Sequence, residues 1–289
     1  MSNDDGPVSN DDGLGEADLP TMPDPKGEDA SGGSDTPPEP PQPSRSSRLP
    51  PVMPPQGAEA GDVDARRALA GDLLQIGAVS LSPDNPFTWS SGMASPIYCD
   101  NRKTLGYPRI RKAICDGLQR VLSGSKKTDA RAHAGTASPD IPDVIAGTAT
   151  AGIPHAAWLA DRLGLPMAYV RGSAKSHGQK NRIEGVVEVG DRVVVIEDLI
   201  STGGSALSAV EALRDVGATV TAVCAIFSYE LSAADAAFDD ADVRLHTLTD
   251  FSTLVDVARR EHDLSDDAFE SLAEWRTDPE AWSKAHGGV

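Results

Sequence analysis

Hydrophobic residues are spread unevenly along this 289-residue chain. From Met1 to about Gly61 there is almost no Ile, Phe, Tyr or Trp, thirteen of the 22 prolines fall here, and acidic residues far outnumber the three basic ones. Such a segment cannot bury enough apolar surface to offset the entropy of ordering. The pattern therefore predicts a disordered acidic tail over residues 1–61 and a folded domain over residues 62–289.

The folded part begins with helices and short strands. Apolar residues at helical spacing predict one helix over 63–76, which Gly77 ends, and a second helix over 108–122. The stretches 78–81 and 95–99, which lie between the two helices, are typical of short strands.

From residue 143 onward, strand patterns alternate with helical ones. Continuous apolar runs such as 193–196 are typical of buried parallel strands. The alternation predicts an α/β fold, a doubly wound, mostly parallel sheet with helices on both faces. Polar stretches interrupt it at 123–142, a predicted surface insertion, and at 171–190, a loop whose length suggests a function. The predicted strands cover 143–147, 166–170, 193–196 and 219–227, and the predicted helices cover 153–163, 205–216 and 265–276, followed by a short tail.

Charge and cysteine content narrow the class of protein. A formal net charge of −18 argues against non-specific binding to nucleic acid or to anionic membranes. It fits either adaptation to a salty cytoplasm or an acidic tail on an ordinary acidic enzyme. No apolar run approaches transmembrane length, the amino-terminal segment is polar, and the three cysteines lack metal-ligand spacing. These features predict a cytoplasmic protein with reduced thiols.

The sharpest chemical feature follows the apolar run 193–196. Two adjacent carboxylates, Glu197 and Asp198, end the run, and a turn of small residues then opens a helix. Backbone N–H groups at a helix start favour an anion, and glycines let the backbone approach it closely. No Walker A lysine follows. A phosphate in the turn with a ribose diol on the carboxylates would satisfy this pattern, and a plain strand-end turn with a helix N-cap is the alternative. The turn consists of Ser201, Thr202, Gly203, Gly204 and Ser205.

This segment resembles the motif with which type I phosphoribosyltransferases bind phosphoribosyl pyrophosphate (PRPP). The resemblance implies that Glu197 and Asp198 hold the ribose hydroxyls and that the turn 201–205 binds the 5-phosphate. Leu199 and Ile200, between them, belong to the same PRPP-binding run. The motif identifies the donor substrate but not the base that accepts the ribose.

Three further segments resemble one branch of that family, the orotate phosphoribosyltransferases. They are 87–102, with its Ile-Tyr-Cys-Asp-Asn-Arg sequence, 147–154 and 169–185. With the phosphate turn and Asp250-Phe251, the resemblance runs from about residue 63 to residue 282. It implies transfer of the 5-phosphoribosyl group of PRPP to orotate, which gives orotidine 5′-monophosphate and pyrophosphate in pyrimidine biosynthesis. It also implies a small amino-terminal hood subdomain over about 62–106.

The resemblance further implies a mobile lid over about 171–190. Arg171, Lys175 and His177 would close over the phosphates, neutralise the charge of the departing pyrophosphate and exclude water. Lys175 and His177, together with Asp198, are the predicted catalytic residues. In the family the lid acts across a homodimer interface and covers the neighbouring subunit's site. A basic loop that is merely solvated is the alternative.

A second turn of small residues contains Thr148 and Thr150. It suits pyrophosphate and Mg²⁺, since PRPP is used as its metal complex, although a plain strand–helix turn would look alike. Because Mg²⁺ prefers hard oxygen ligands and substrate phosphates, we expect it to be held mainly through PRPP, with no dedicated protein metal site.

The predicted orotate contacts rest on single residues rather than on a continuous motif. Arg102 is the candidate for the base's carboxylate, and an ion pair with a neighbouring acid is the competing interpretation. The resemblance adds Ser201 and Tyr229. The chain also departs from better-known bacterial members, which have Lys at the positions of Ser90 and Gly172 and an orotate-binding Arg at the position of Tyr229.

Other readings remain open at this stage. The acceptor could be a nucleobase other than orotate. The domain could instead be a PRPP-sensing regulator of transcription, although no basic DNA-binding module is visible. A third possibility is that the acidic tail recruits a partner. Among the remaining residues, His155 is predicted to be a packing residue inside a helix, and Trp275 and Trp282 are predicted to be packing anchors.

Overall fold

The computed structural model describes residues 60–89, 91–124, 142–172, 182–261 and 264–289. The predicted acidic tail lies outside these residues up to position 59, and the first helix begins at Ala60. Most of the predicted insertion and the centre of the predicted lid also lie outside the described residues.

The described elements include every helix and strand that the sequence predicted, in the predicted order. They also include elements that it did not predict, among them those at 183–184, 232–240, 244–250, 251–261 and 279–285. The helices are α1 Ala60–Gln75, α2 Pro108–Gly124, α3 Gly152–Leu163, α4 Gly204–Asp215, α5 Ser232–Asp240, α6 Phe251–Glu261, α7 Asp266–Thr277 and α8 Pro279–Ala285, with a 3₁₀ helix at Asn101–Gly106. The strands are β1 Val79–Leu81, β2 Phe87–Thr88, β3 Ala94–Ser95, β4 Ile97–Cys99, β5 Val144–Thr148, β6 Met167–Val170, β7 Ile183–Glu184, β8 Arg192–Ile200, β9 Thr219–Ser228 and β10 Arg244–Asp250.

A six-stranded sheet in the order β10-β9-β8-β5-β6-β7 forms the centre of the domain. Its first five strands are parallel, and only β7 runs antiparallel to its neighbour β6. Successive side chains of β8 enter opposite layers, because strand residues alternate between faces. Val194 and Ile196 pack with the layer that includes α1, α2 and α3, and Val193 and Val195 pack with α4 and α5. The predicted doubly wound fold is confirmed.

The hood elements are two antiparallel pairs, β1 with β4 and β2 with β3. An aromatic cluster joins them to the carboxyl-terminal helices, because Trp89 stacks on Tyr229 at a ring distance of 5.6 Å and meets Trp275 edge-on at 6.0 Å. Trp275 and Trp282 are both buried, as predicted. The expected tail after α7 instead contains α8, whose buried Ser283 hydroxyl accepts a hydrogen bond from the backbone of Ala94.

Two expectations about irregular segments change in the structure. The stretch 171–190 is not a loop at its far end, because Ile183 and Glu184 form β7 and extend the sheet beside β6. At the other edge of the sheet, α6 follows β10 directly, in a stretch for which the sequence predicted no element. It begins where the Asp250 side chain accepts a hydrogen bond from the N–H of Thr253, and Asp250 also binds Arg66 of α1 at 2.5 Å. Within the described part of the chain, no helix combines the length and the apolar character needed to cross a membrane.

Candidate active site

The carboxyl ends of β5 and β8 lie side by side at the centre of the sheet. The two strands pair in register up to Gly147 opposite Ile196. β5 ends at Thr148, whereas β8 continues to Ile200, and each strand is followed by a turn that leads to a helix. In open parallel sheets, ligands bind at the carboxyl ends of the strands. The predicted PRPP residues Thr148, Thr150 and 197–205 fall at this position, on two neighbouring strands and the turns that follow them.

Glu197 is buried at this end of β8 and is only 5% exposed. Its Oε1 accepts hydrogen bonds from the Thr148 hydroxyl at 2.6 Å and from the backbone N–H of Asp198 at 3.0 Å. Among the described residues, its Oε2 has no partner. Burial raises the pKa of Glu197, and the nearby charge of Asp198 acts in the same direction, whereas the bond from Thr148 opposes it. One carboxylate oxygen is therefore already held by the protein.

Asp198 is the more accessible of the two acids, being half-buried. Desolvation raises its pKa as well. Its backbone carbonyl accepts a hydrogen bond of 2.6 Å from the Asn101 side chain, which comes from the 3₁₀ helix of the hood. The hood and the central sheet thus meet at the second carboxylate.

The predicted phosphate turn connects β8 to α4. Gly203 has φ +84°, and a Cβ atom there would lie 2.8 Å from the Phe238 ring, so a side chain is disfavoured both by backbone conformation and by space. Nothing stands within 4 Å of a Cβ at Gly204, and the side chains of Thr202 and Ser205 are exposed. The first amides of α4 lack intrahelical partners and face this open turn.

The second turn, after β5, is closely packed against β8. A Cβ atom at Gly152 would lie 2.3 Å from the Ile196 carbonyl and 2.6 Å from the Thr148 hydroxyl, so only glycine fits there. Thr148 is buried and bonded to Glu197, whereas Thr150 is exposed, and the peptide bond that precedes Thr150 is cis. Of the two predicted threonines, Thr150 is thus free to face a ligand.

The base of the predicted lid is anchored at both ends. The N–H of Arg171 donates to the carbonyl of Arg182 at 2.8 Å, and the Arg182 guanidinium donates to the carbonyl of Arg171 at 3.0 Å. The Arg171 guanidinium lies 3.5 Å from the Glu184 carboxylate. Lys175 and His177, like Ser90, lie outside the described residues.

The candidate orotate residues have different surroundings. Arg102 is well exposed, and its Nε donates to the Asp100 carboxylate at 2.6 Å, so the ion pair considered as an alternative is present. Tyr229 is buried under Trp89, and burial raises the pKa of its hydroxyl, with the negative charge of Asp198 contributing. Cys99 itself has a pKa raised by burial, so its thiol is protonated.

Sequence reasoning did not assign a role to Asn101. The residue is 1% exposed and touches the strand that carries both acids, although 97 positions separate the two partners. The only local signal was an asparagine two positions after a short strand, in the Cys-Asp-Asn-Arg sequence.

The comparisons with known proteins agree with this geometry. A family profile described as "Phosphoribosyl transferase domain" matches residues 131–258. The fold and the site define a phosphoribosyltransferase of type I. The chain is 52% identical over 210 residues to an orotate phosphoribosyltransferase of Staphylococcus saprophyticus. The matched residues make up 73% of this chain and 97% of that protein. It is 50% identical over 222 residues to that of Bacillus cereus, covering 76% of this chain and 100% of that protein. The chain belongs to the orotate phosphoribosyltransferase family, and it is therefore a pentosyltransferase.

Solved structures give the same result. The orotate phosphoribosyltransferase of Aeropyrum pernix is similar with a TM-score of 0.53 at 33% identity, over 65% of this chain and 96% of that chain. The UMP synthase of Leishmania donovani is similar with a TM-score of 0.59 at 26% identity, over 73% of this chain and 42% of that chain.

Proposed function

We propose that this enzyme binds PRPP across the carboxyl ends of β5 and β8 and transfers its 5-phosphoribosyl group to orotate. The products are orotidine 5′-monophosphate and pyrophosphate. The observation that carries the proposal is the juxtaposition of two raised-pKa carboxylates, Glu197 and Asp198, with the open amino-terminal turn of α4.

The 5-phosphate binds in the turn 201–205. The side chains of Thr202 and Ser205 and the first amides of α4 donate hydrogen bonds to it, and Leu199 and Ile200 carry the chain from the carboxylates to this turn. Ribose hydroxyls donate to the unpartnered Oε2 of Glu197 and to the Asp198 carboxylate. The buried oxygen then gains the partner that it lacks among the described residues, which favours binding of a diol.

The pyrophosphate lies beside the turn after β5. Thr150 donates to it, Thr148 holds Glu197 in place, and Arg171, Lys175 and His177 supply positive charge. Within the described ranges, no three His, Cys, Asp or Glu residues cluster as a metal site would require. The oxygen donors of Thr150 and Asp198 nevertheless suit a hard cation that is coordinated chiefly by the substrate's phosphates. Mg²⁺ bound in this way supplies partial neutralisation of the pyrophosphate charge.

In the transfer step, the bond from ribose C1 to the pyrophosphate oxygen breaks and the bond from orotate N1 to C1 forms. Orotate N1 gives up its proton in the same step, and the departing pyrophosphate accepts it. The ribose becomes cationic in between, and the negative Asp198 carboxylate stabilises that charge. Lys175 and His177 neutralise the leaving pyrophosphate, which departs with the electron pair of the broken bond. Closure of the lid keeps water away from the activated C1.

Orotate binds between the hood and the end of β8. The Arg102 guanidinium pairs with the orotate carboxylate, for which it exchanges its present partner Asp100, and Ser201 reaches the ring edge. Tyr229 contributes as part of the aromatic wall with Trp89, since its ring is already stacked there.

The assembly and the location follow from the same family assignment. We propose a homodimer in which the lid of one subunit covers the site of the other. We also propose a cytoplasmic location, to which the free state of all three cysteines lends support.

The test is the loss of orotate's ultraviolet absorbance with PRPP and Mg²⁺ present. Turnover with orotate but not with hypoxanthine or adenine is expected. Turnover with a purine base in place of orotate would contradict the assigned acceptor.

A further inference from the structure

On the side of β8 that faces β5, the backbone at Asp198 is supported by the hood rather than by a strand. β8 pairs with β5 only as far as Ile196, whereas its pairing with β9 continues to Ile200. Past Ile196 the 3₁₀ helix of the hood packs against β8, and the Asn101 Nδ2 donates to the Asp198 carbonyl at 2.6 Å. The side chain of Asn101 thus provides the Asp198 carbonyl with a hydrogen-bond partner where β5 no longer does.

The amide side chain of Asn101 is suited to hydrogen bonding with the Asp198 carbonyl and is poorly suited to a role in packing alone. Its side chain is buried, and in the described part of the chain its Oδ1 has no hydrogen-bond partner. A buried amide oxygen without a partner is unfavourable. Packing could be achieved by an apolar residue of the same size, so the amide is explained by the bond that its Nδ2 donates.

The backbone that carries this donor is also held in place. The hydroxyl of Thr104, a fully buried residue, donates to the Asn101 carbonyl at 2.6 Å. The preceding N–H of Asp100 donates to the carbonyl of Ala78 at 2.7 Å, which ties the start of the 3₁₀ helix to the hood. Movement of Asp198 relative to the hood would therefore break this bond.

We propose that Asn101 is a positioning residue for the transfer reaction: it fixes the backbone of Asp198 so that the carboxylate faces the ribose. The proposal rests on the proposed role of Asp198. A carboxylate can stabilise charge at C1 only at the correct distance, and a displacement of about 1 Å can cost on the order of a hundredfold in rate. Asn101 acts through Asp198 and does not itself touch the substrate.

The experiment is a double-mutant cycle with Asn101→Leu and Asp198→Asn, read as kcat/KM for PRPP. Leucine keeps the volume and removes the donor. We expect Asn101→Leu to lower kcat/KM by roughly 10- to 100-fold. In the Asp198→Asn background, Asn101→Leu should lower kcat/KM by less than about a further threefold. A residue that acts only through the Asp198 carboxylate has nothing left to position once that carboxylate is removed.

Ser95→Ala is the matched control. Ser95 is also fully buried in the hood and donates to a backbone carbonyl, that of Ile97, at 2.8 Å. Any fold-loss in kcat/KM that Ser95→Ala causes should multiply with the fold-loss caused by Asp198→Asn, as expected for a bond that is only structural. Where Asn101→Leu folds poorly, Asn101→Ala and the rise in Tm on adding PRPP provide a second measurement, and a smaller rise than in the wild type is expected.

The inference is overturned by Asn101 variants with kcat/KM within twofold of the wild type, by an undiminished PRPP-dependent rise in Tm, or by full multiplication of the two losses. Unchanged kcat/KM in Asp198→Asn alone would instead refute the proposed role of Asp198, on which the inference rests. A damaged Asp198→Asn enzyme beside a normal Asn101→Leu enzyme refutes only the inference.

Discussion

Replacing His155 by glutamine should flatten the acid side of the stability curve. His155 lies in α3, 2% exposed, with its ring edge-on to Trp158 at 5.4 Å and its Nε2 3.5 Å from the Thr104 hydroxyl. Among the described residues its Nδ1 has no partner. Burial lowers the pKa of His155 from 6.5 to about 4. The imidazole is therefore neutral in the folded protein at neutral pH, as expected of a packing residue.

The direction and the size of this effect of pH on the free energy of unfolding follow from proton linkage. Between pH 6.5 and 4 the unfolded chain binds a proton at this histidine and the folded chain does not, so the free energy of unfolding falls as the pH falls. The stability present above pH 6.5 decreases by about 2 kcal/mol between pH 7 and pH 5, and by about 3 kcal/mol once the pH is below the folded pKa.

Urea unfolding at a series of pH values between 7 and 5 measures this contribution. The difference between the wild type and His155→Gln should change by about 2 kcal/mol over that range. Some slope will remain in the variant, because burial also lowers the pKa of His246. Equal slopes for the wild type and His155→Gln would refute the reasoning.

The remaining predictions concern the site. Lys175→Ala should lower kcat by orders of magnitude at unchanged Tm, and a fall in Tm of equal severity would speak against a catalytic role. Asp198→Asn should raise the KM for PRPP, because a ribose contact is lost, and should also lower kcat, because the charge at C1 loses its stabilisation. An unchanged KM, measured at saturating orotate, would contradict the ribose contact. Gly152→Ala should destabilise the protein by at least about 1–3 kcal/mol in urea unfolding, because its Cβ would lie 2.3 Å from the Ile196 carbonyl. Gly106→Ala, with no atom within 4 Å, is its control and should unfold like the wild type.

Buried elements with a continuous pattern were predictable from the sequence. The apolar run 193–196 gave the central strand, but the strand continues to Ile200, because β9 still pairs with it there. The polar pair Glu197 and Asp198 concealed this extension, since burial of the first acid depends on a hydroxyl contributed by Thr148 from another strand. Local pattern cannot reveal such a partner.

Elements with weak patterns were missed. β10 lies at the edge of the sheet and alternates poorly, with half-buried positions at its centre, so no apolar run marks it. α5 carries few large apolar residues, and only Ala234 and Phe238 are buried. β7 consists of two residues that pair with β6 inside a polar stretch. In each case tertiary contacts decide the structure.

The site was predictable to the extent that its residues are adjacent in sequence. The acids and the small-residue turn form one continuous segment, and the α/β order brings the Thr148 turn beside them. Asn101 contributes through a contact between the hood and the sheet. Neither periodicity nor local sequence indicates that two residues 97 positions apart come into contact.

Calorimetric titration of PRPP, with Mg²⁺ present, into the folded protein tests the central claim most directly. We predict saturable binding that is weakened in Asp198→Asn and in Gly203→Val, whose side chain would enter the space of Phe238. Absence of PRPP binding by the folded wild-type protein would contradict the assignment of the β8 carboxylates and the α4 turn as the sugar-phosphate site.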